Sequence, residues 1–415
     1  MSTSQENKVN PILLWAIGSV FLLYQYIVRV APSVMITDIQ NRFQVDSAAF
    51  GQFSGVYYIG YSLAHVPIGI MLDRFALKKQ MLAYVSLVIL GIAPIVFSDS
   101  WSMVVIGRLI TGIGSSAAIL GLFKIVSSCF AHNKFSQMIG YSVTIGLMGP
   151  LYAGAPLNLI KNTFGFDYAV NLLMILGAVL FGLISVLFKN ETNNSEVSVK
   201  DMINDAKTVL LNKYVINISI MLGLMVGVIE GFADIWGPLF MKNVKSFGEY
   251  EGPALVSVVY VAICAFTPIL GILTEKMGKY FLMLAICAFM MGFGMLYVIF
   301  LMPTNQFIAG FMMVMLGCAA SYQVIGIYKA SEYAPEKSRT LAASVANMMI
   351  MIFGYVFHSI IGQAITSLQA GGMMEAEAMQ WGLTIIPGLS IIAGVVMLVL
   401  NGMEVSSNNK IVKAQ

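Results

Sequence analysis

Apolar residues run along this chain in long blocks, and polar residues are confined to short breaks between them. Twelve such blocks are long enough to cross a bilayer, at roughly 12–36, 48–71, 80–98, 102–126, 138–160, 167–188, 214–240, 252–274, 280–301, 307–330, 340–363 and 382–402. Hydrocarbon offers no hydrogen bonds to a backbone, so each block must satisfy its own peptide groups and is predicted to be a helix. One break is longer than the rest. Residues 189–213 are rich in Asn, Ser and mixed charge and read as a linker. They divide the chain into an N-terminal half, 1–188, and a C-terminal half, 214–403, each with six blocks. Residues 404–415 read as a loose polar tail. The expected fold is an all-α membrane protein of twelve transmembrane helices.

Composition agrees: 58% of residues are hydrophobic and 10% charged, against about 25% charged in soluble domains. Lys and Arg are unevenly placed. Of 23, 17 fall on one side of the predicted membrane, four (Arg42, Lys161, Lys242, Lys245) on the other, and Arg29 and Arg108 within spans. The positive-inside rule then predicts a cytoplasmic linker and two cytoplasmic termini in a cell membrane, the bacterial inner membrane being expected. The polar first ten residues precede an apolar block too long for a signal sequence. The four cysteines, at 129, 264, 287 and 318, form no metal or disulfide pattern. Neither phosphate-loop, nucleophile-elbow nor zinc-protease spacing occurs, so no enzyme activity, cofactor, metal or nucleic-acid partner is expected.

The halves repeat one another. Gly69-Ile-Met-Leu-Asp73-Arg74-Phe-Ala-Leu-Lys78-Lys79, after the second block, returns after the eighth as Gly271-Ile-Leu-Thr-Glu275-Lys276-Met-Gly278-Lys279, 202 positions later. Gly112-Ile-Gly-Ser-Ser116 through Gly121-Leu-Phe-Lys124 returns as Gly317-Cys-Ala-Ala-Ser321 through Gly326-Ile-Tyr-Lys329, 205 positions later. Two stretches at nearly one offset indicate a duplicated six-helix unit, hence two pseudo-symmetric halves with a site expected between them.

With these motifs the whole chain resembles the major facilitator superfamily. That family carries G-x-x-x-D-R-x-G-R-K between spans 2 and 3; here Ala76 and Leu77 depart from it. Gly107-Arg108-Leu-Ile-Thr-Gly112-Ile-Gly114 and Gly149-Pro150 resemble its elements in spans 4 and 5. The segments Gly-Leu-Phe-Lys124 and Ser321-Tyr-Gln323 are also similar to bacterial facilitators of the phagosomal-transporter kind and their lysosomal dipeptide-transporter relatives. The resemblance implies alternating access, with Gly69, Asp73, Arg74, Gly271, Glu275 and Lys276 acting as a gate latch, and Arg108 tied to gating and proton coupling.

Ionisable residues inside a membrane are costly and mark candidate function. Arg29 lies in span 1 with Gln25 and Ser33 one turn to either side. Its guanidinium fork suits a carboxylate or phosphate, although an Arg so placed can also snorkel to the interface. Glu230 and Asp234 stand four apart in span 7, where two carboxylates repel unless one is protonated or faces a cation. Tyr24, Tyr322, Gln323 and Asn347 are further candidate solute contacts. Lys124 and Lys329 end repeat-related helices, either as helix-dipole cations or as charges at the cavity mouth. Tyr57, Tyr61 and His65 follow one another at fourfold spacing and suit packing or a pH response.

A cation opposite two acids fits a zwitterion. The expectation is a proton-coupled secondary carrier of an amino acid or short peptide, working as a monomer, with solute, protons and lipid as its partners. An organic-anion or sugar-phosphate antiporter is the alternative, from the Tyr26-x-x-Arg29-x-x-x-Ser33 resemblance to such facilitators. It would want a second Arg in span 7, where Asp234 and Ile235 stand. A transporter-like membrane sensor is a third reading.

Overall fold

The computed structural model describes residues 10–131, 134–188 and 207–414. Helix follows helix throughout. Among the described residues, eleven helical stretches are long and apolar enough to cross a membrane: Pro11–Val34, Leu77–Phe97, Trp101–Cys129, Gln137–Phe164, Phe166–Leu187, Lys213–Asn243, Glu251–Met277, Tyr280–Leu301, Gln306–Glu332, Leu341–Ala370 and Glu375–Glu404. The helix Ser47–Arg74 supplies the remaining predicted span. In chain order these are spans 1 to 12, and Ser47–Arg74 is span 2.

Local sequence explains where helices begin and break. The Asn10 side chain accepts from Ile12 N at 2.9 Å, and Pro11, which has no N–H to leave unpaired, opens span 1. Pro150 and Pro156 interrupt span 5, which is built from Phe135–Leu147, Gly149–Ala153 and Ala155–Phe164. The second motif copy turns on Gly278, whose φ of 63° is left-handed and suits glycine. The first copy has Ala76 at that point, and the chain leaves span 2 through an extended Phe75 instead.

Close packing follows the repeat. A Cβ on Gly112 would run into the Tyr57 carbonyl, and one on Gly317 into the Val259 carbonyl. Spans 4 and 10 therefore lie backbone to backbone on spans 2 and 8, because these glycines let them.

Two expectations need correction. Span 7 is not a uniform α-helix: a 3-10 turn at Val226–Val228 leads into a π-helical stretch, Ile229–Trp236, carrying both Glu230 and Asp234. Gly227, in the 3-10 turn, lies against the Phe357 ring, where a Cβ would come within 2.6 Å. Residues 404–414 are not a loose tail, since the last helix runs from Ile385 through Ala414. Glu404 meets Lys329 of span 10 at 2.9 Å, which holds the chain helical beyond the apolar block. Most of the predicted linker, residues 189–206, lies outside the described residues.

The halves meet along a seam between spans 2 and 11. Gly51 faces the His358 carbonyl, Gly362 faces the Ser47 carbonyl, and a Cβ on Gly55 would come within 2.8 Å of the Tyr355 ring. Ala48 N donates to Thr366 Oγ1 at 3.0 Å, and further along the helices Ser62 Oγ donates to the Met348 carbonyl at 3.3 Å. At the same end Asn158 of span 5 donates to the Glu249 carbonyl at 2.6 Å. Toward the other end of spans 2 and 8, Gly69 and Gly271 face open space. The bundle is thus sealed at the Ser47 end.

Candidate functional site

Asp234 is the hub of the buried charge. It is fully buried, and Arg29 Nε lies 2.9 Å from its Oδ2, with a second guanidinium nitrogen 3.4 Å from Oδ1. The Tyr58 hydroxyl donates to Oδ2 and the Tyr260 hydroxyl to Oδ1. Both carboxylate oxygens are therefore held by a cation and two hydroxyls, which is how a buried carboxylate is retained.

The geometry carries the duplication. Tyr58 and Tyr260 stand 202 positions apart, and Arg29 and Asp234 stand 205 apart, matching the two motif offsets. Residues equivalent in the two halves meet one another where they lie near the pseudo-twofold axis. Arg29 and Asp234, of opposite charge, stand at the 205 offset of the span 4 and 10 repeat. The cluster joins both halves: Arg29 and Tyr58 from the first, Asp234 and Tyr260 from the second.

Glu230, one turn before Asp234, is held differently. It is 1% exposed, and its Oε2 lies 3.7 Å from Arg29 NH1 with no hydrogen-bond partner in the protein. Arg29 also lies over the Tyr26 ring at 4.6 Å. One guanidinium thus serves two carboxylates, closely at Asp234 and at longer range at Glu230, whose Oε2 has no donor of its own.

The other predicted residues separate into two groups. Gln323 and Asn347 are half-buried, and Gln323 Nε2 has no hydrogen-bond partner. Several more act in packing. Gln25 accepts from the Tyr57 hydroxyl at 2.9 Å. Tyr24 donates to the Leu173 carbonyl at 3.0 Å, tying span 1 to span 6. Tyr322 donates to the Leu222 carbonyl at 2.7 Å and is fully buried. Arg108 donates to the carbonyls of Val28 and Arg29 at 3.0 and 2.7 Å, exposed where Pro32 and a 3-10 turn end span 1. Arg108 therefore fixes the backbone that carries Arg29. Its guanidinium also lies 4.7 Å from the centre of the Tyr57 ring.

At the opposite end Glu275 and Lys276 are exposed, while the side chains of Asp73 and Arg74 lie outside the described residues. Lys329 is no free mouth cation. It pairs with Glu332 and Glu404 at 3.0 and 2.9 Å and sits among the rings of Tyr280, Phe281 and Tyr333. Lys124 is half-buried and engaged as well. Sequence reasoning passed over Tyr58 and Tyr260, because single tyrosines in apolar helices carry no signal. The 202 offset, extended from the motif into spans 2 and 8, would have paired them.

Comparison with known proteins agrees with this architecture. The Major Facilitator Superfamily profile matches residues 16–358. An uncharacterized protein of Campylobacter jejuni subsp. jejuni is 26% identical over 239 residues, covering 54% of this chain and 71% of that protein. Among solved structures, the nucleoside transporter NupG superposes with a TM-score of 0.75 at 14% identity, over 94% of this chain and 98% of its own. An inward-facing bacterial homolog of the human lysosomal transporter Spinster does so with 0.74 at 15%, over 95% and 98%. The D-xylose-proton symporter reaches 0.71 at 14%, over 94% and 97%. With twelve helices in two related halves and a family match across most of its length, the chain is a multi-pass membrane protein and a member of the major facilitator superfamily of small-solute transporters.

Proposed function

We propose that this transporter is a proton-coupled carrier of a small zwitterionic solute, an amino acid or short peptide, and that Glu230 is the acid that couples solute to proton. One observation carries the reading: Glu230 is buried, with its Oε2 lacking a hydrogen-bond donor, beside an Arg29 already committed to Asp234. A carboxylate so placed needs a second positive partner, and either a proton or the ammonium of a solute supplies it. Asp234 has no such need. It works as the lock that holds Arg29, Tyr58 and Tyr260 together while the Ser47 end is sealed. A solute carboxylate can take the Arg29 fork only when that lock opens, so binding and gating compete for one guanidinium. The Gln323 amide, half-buried on span 10, offers a donor to the solute's carbonyl.

On the expected orientation, the end that carries the exposed Glu275 and Lys276 faces the cytoplasm, and the Ser47 end faces the other side. Positive charge at that end supports the orientation. The fold by itself selects no solute, since relatives of the same shape carry nucleosides and D-xylose.

The test is uptake into proteoliposomes under an imposed pH gradient, comparing labelled amino acids, dipeptides and organophosphates. Zwitterions should accumulate with the proton gradient and collapse with it. Glu230→Gln should abolish accumulation while preserving exchange of solute for solute. Gradient-driven uptake that survives Glu230→Gln removes the coupling role. Uptake of organophosphates alone removes the zwitterion.

A further inference from the structure

His358 of span 11 has no place in that scheme, and it is the most unusual buried group in the seam. Its side chain is fully buried, and neither ring nitrogen has a hydrogen-bond partner within the protein. His65, by contrast, is bonded to Ser116 at 3.1 Å. The His358 ring stacks on Tyr58 at 5.4 Å and 29°, and Tyr58 is the hydroxyl that spans the halves to reach Asp234. The His358 carbonyl is the surface on which Gly51 rests. This residue therefore lies against both features that close the Ser47 end.

An imidazole brings one N–H and one lone pair. Leaving a buried polar group unmet costs about 1–3 kcal/mol, whereas an apolar ring of similar shape would cost nothing. An imidazole at this point weakens the sealed form, so its use lies in the other form. The charged groups facing it are Asp234 on span 7, Arg108 on span 4 and Arg29 on span 1, with the Tyr58 hydroxyl on span 2. Asp234 is already shared among Arg29, Tyr58 and Tyr260, and Arg108 is bound to backbone carbonyls. An imidazolium in the sealed seam would have no counter-ion of its own and two cations nearby.

We propose that His358 is a proton-binding residue of this carrier, taking a proton from water when spans 2 and 11 part and returning it to the same face before they close. The proposal rests on alternating access at this seam but not on Glu230 as the coupling acid. The sign follows from linkage: the parted form binds the proton, so acid favours it. Below the ordinary imidazole value of about 6.5, each pH unit shifts the ratio of parted to sealed by up to about tenfold.

The experiment is double electron–electron resonance between spin labels on Asn41→Cys and Ala370→Cys, exposed positions flanking the seam on opposite halves. The background lacks the four native cysteines. From pH 8 to pH 5 the parted population should rise about tenfold or more, and in His358→Phe it should change less than twofold. His358→Gln serves as the second variant and should also be flat. No acid response without the variants, or an unchanged response in both, overturns the proposal. A response lost in Glu230→Gln but kept in both His358 variants assigns the titration to Glu230, which overturns the proposal and leaves the coupling reading standing.

Discussion

Replacing Asp234 by Asn keeps the shape of the hub and removes its charge. Arg29, 7% exposed, then loses the carboxylate that meets its Nε at 2.9 Å. Removing one partner of a buried ion pair costs about 3–5 kcal/mol, because the remaining charge stays desolvated. Here Glu230, already 3.7 Å away, remains as a partial substitute, and the Asn oxygen still accepts from one tyrosine. The lower figure, about 3 kcal/mol, is therefore expected. It falls on the sealed form alone, since parting the halves hydrates Arg29 in either variant. At about 1.4 kcal/mol per decade, the parted form gains roughly 100-fold.

Ser54 provides the readout. It is fully buried on span 2, so a cysteine there, in a chain without native cysteines, reacts with a membrane-impermeant maleimide on the Ser47 face only when the seam parts. Asp234→Asn should speed that reaction roughly 100-fold, the fold-change just derived. The double variant Arg29→Gln with Asp234→Asn should return to within about tenfold of the original rate, because the one charge left, the Glu230 carboxylate, can neutralise itself by taking a proton. An unchanged rate in Asp234→Asn refutes the locking role. A double variant as fast as the single one refutes the orphan-charge argument behind the magnitude.

Three further outcomes follow from the same geometry. Tyr58→Phe and Tyr260→Phe each remove one hydroxyl from Asp234 and should each cost about 1.5–3 kcal/mol of the sealed form, read as faster labelling at Ser54→Cys; one silent and one severe variant would break the equivalence of the repeat. Gly51→Ala places a Cβ against the His358 carbonyl and should part the seam at a cost of about 1–3 kcal/mol, whereas Gly69→Ala, which faces open space, should leave labelling unchanged. The Glu249 carboxyl, exposed at the sealed end, is held below its ordinary 4.5 by the hydrogen bond from Lys242. A lowered carboxyl value means that contact is present above 4.5 and is lost only as acid takes the pH below it. Glu249→Gln should thus leave the pH 8 to pH 5 resonance response intact.

The candidate site was half legible in the sequence, for identifiable reasons. Arg29, Glu230 and Asp234 stood out because charge inside an apolar block is expensive. Tyr58 and Tyr260 did not, because rings in apolar helices are ordinary filling and only their neighbours distinguish them. Tyr24 and Tyr322 were expected at the solute and instead donate to Leu173 and Leu222 carbonyls, since periodicity gives the spacing of a face but not which neighbour it meets. Lys329 was legible as a helix-end cation, but its partner Glu404 lay 75 positions away in a segment that read as loose.

The sequence by itself determined the membrane class, the twelve helices and the duplication. Each follows from a local cost: unpaired backbone in hydrocarbon, charge in lipid, or a repeated glycine where helices must touch. Tertiary structure decided what those costs do together. It set Arg29 against the opposite charge of Asp234, brought Tyr58 and Tyr260 to one carboxylate, and widened span 7 into a π-helical stretch. It also left Glu230 and His358 short of partners. Those shortfalls are sums over several helices at once, and no stretch of sequence contains them.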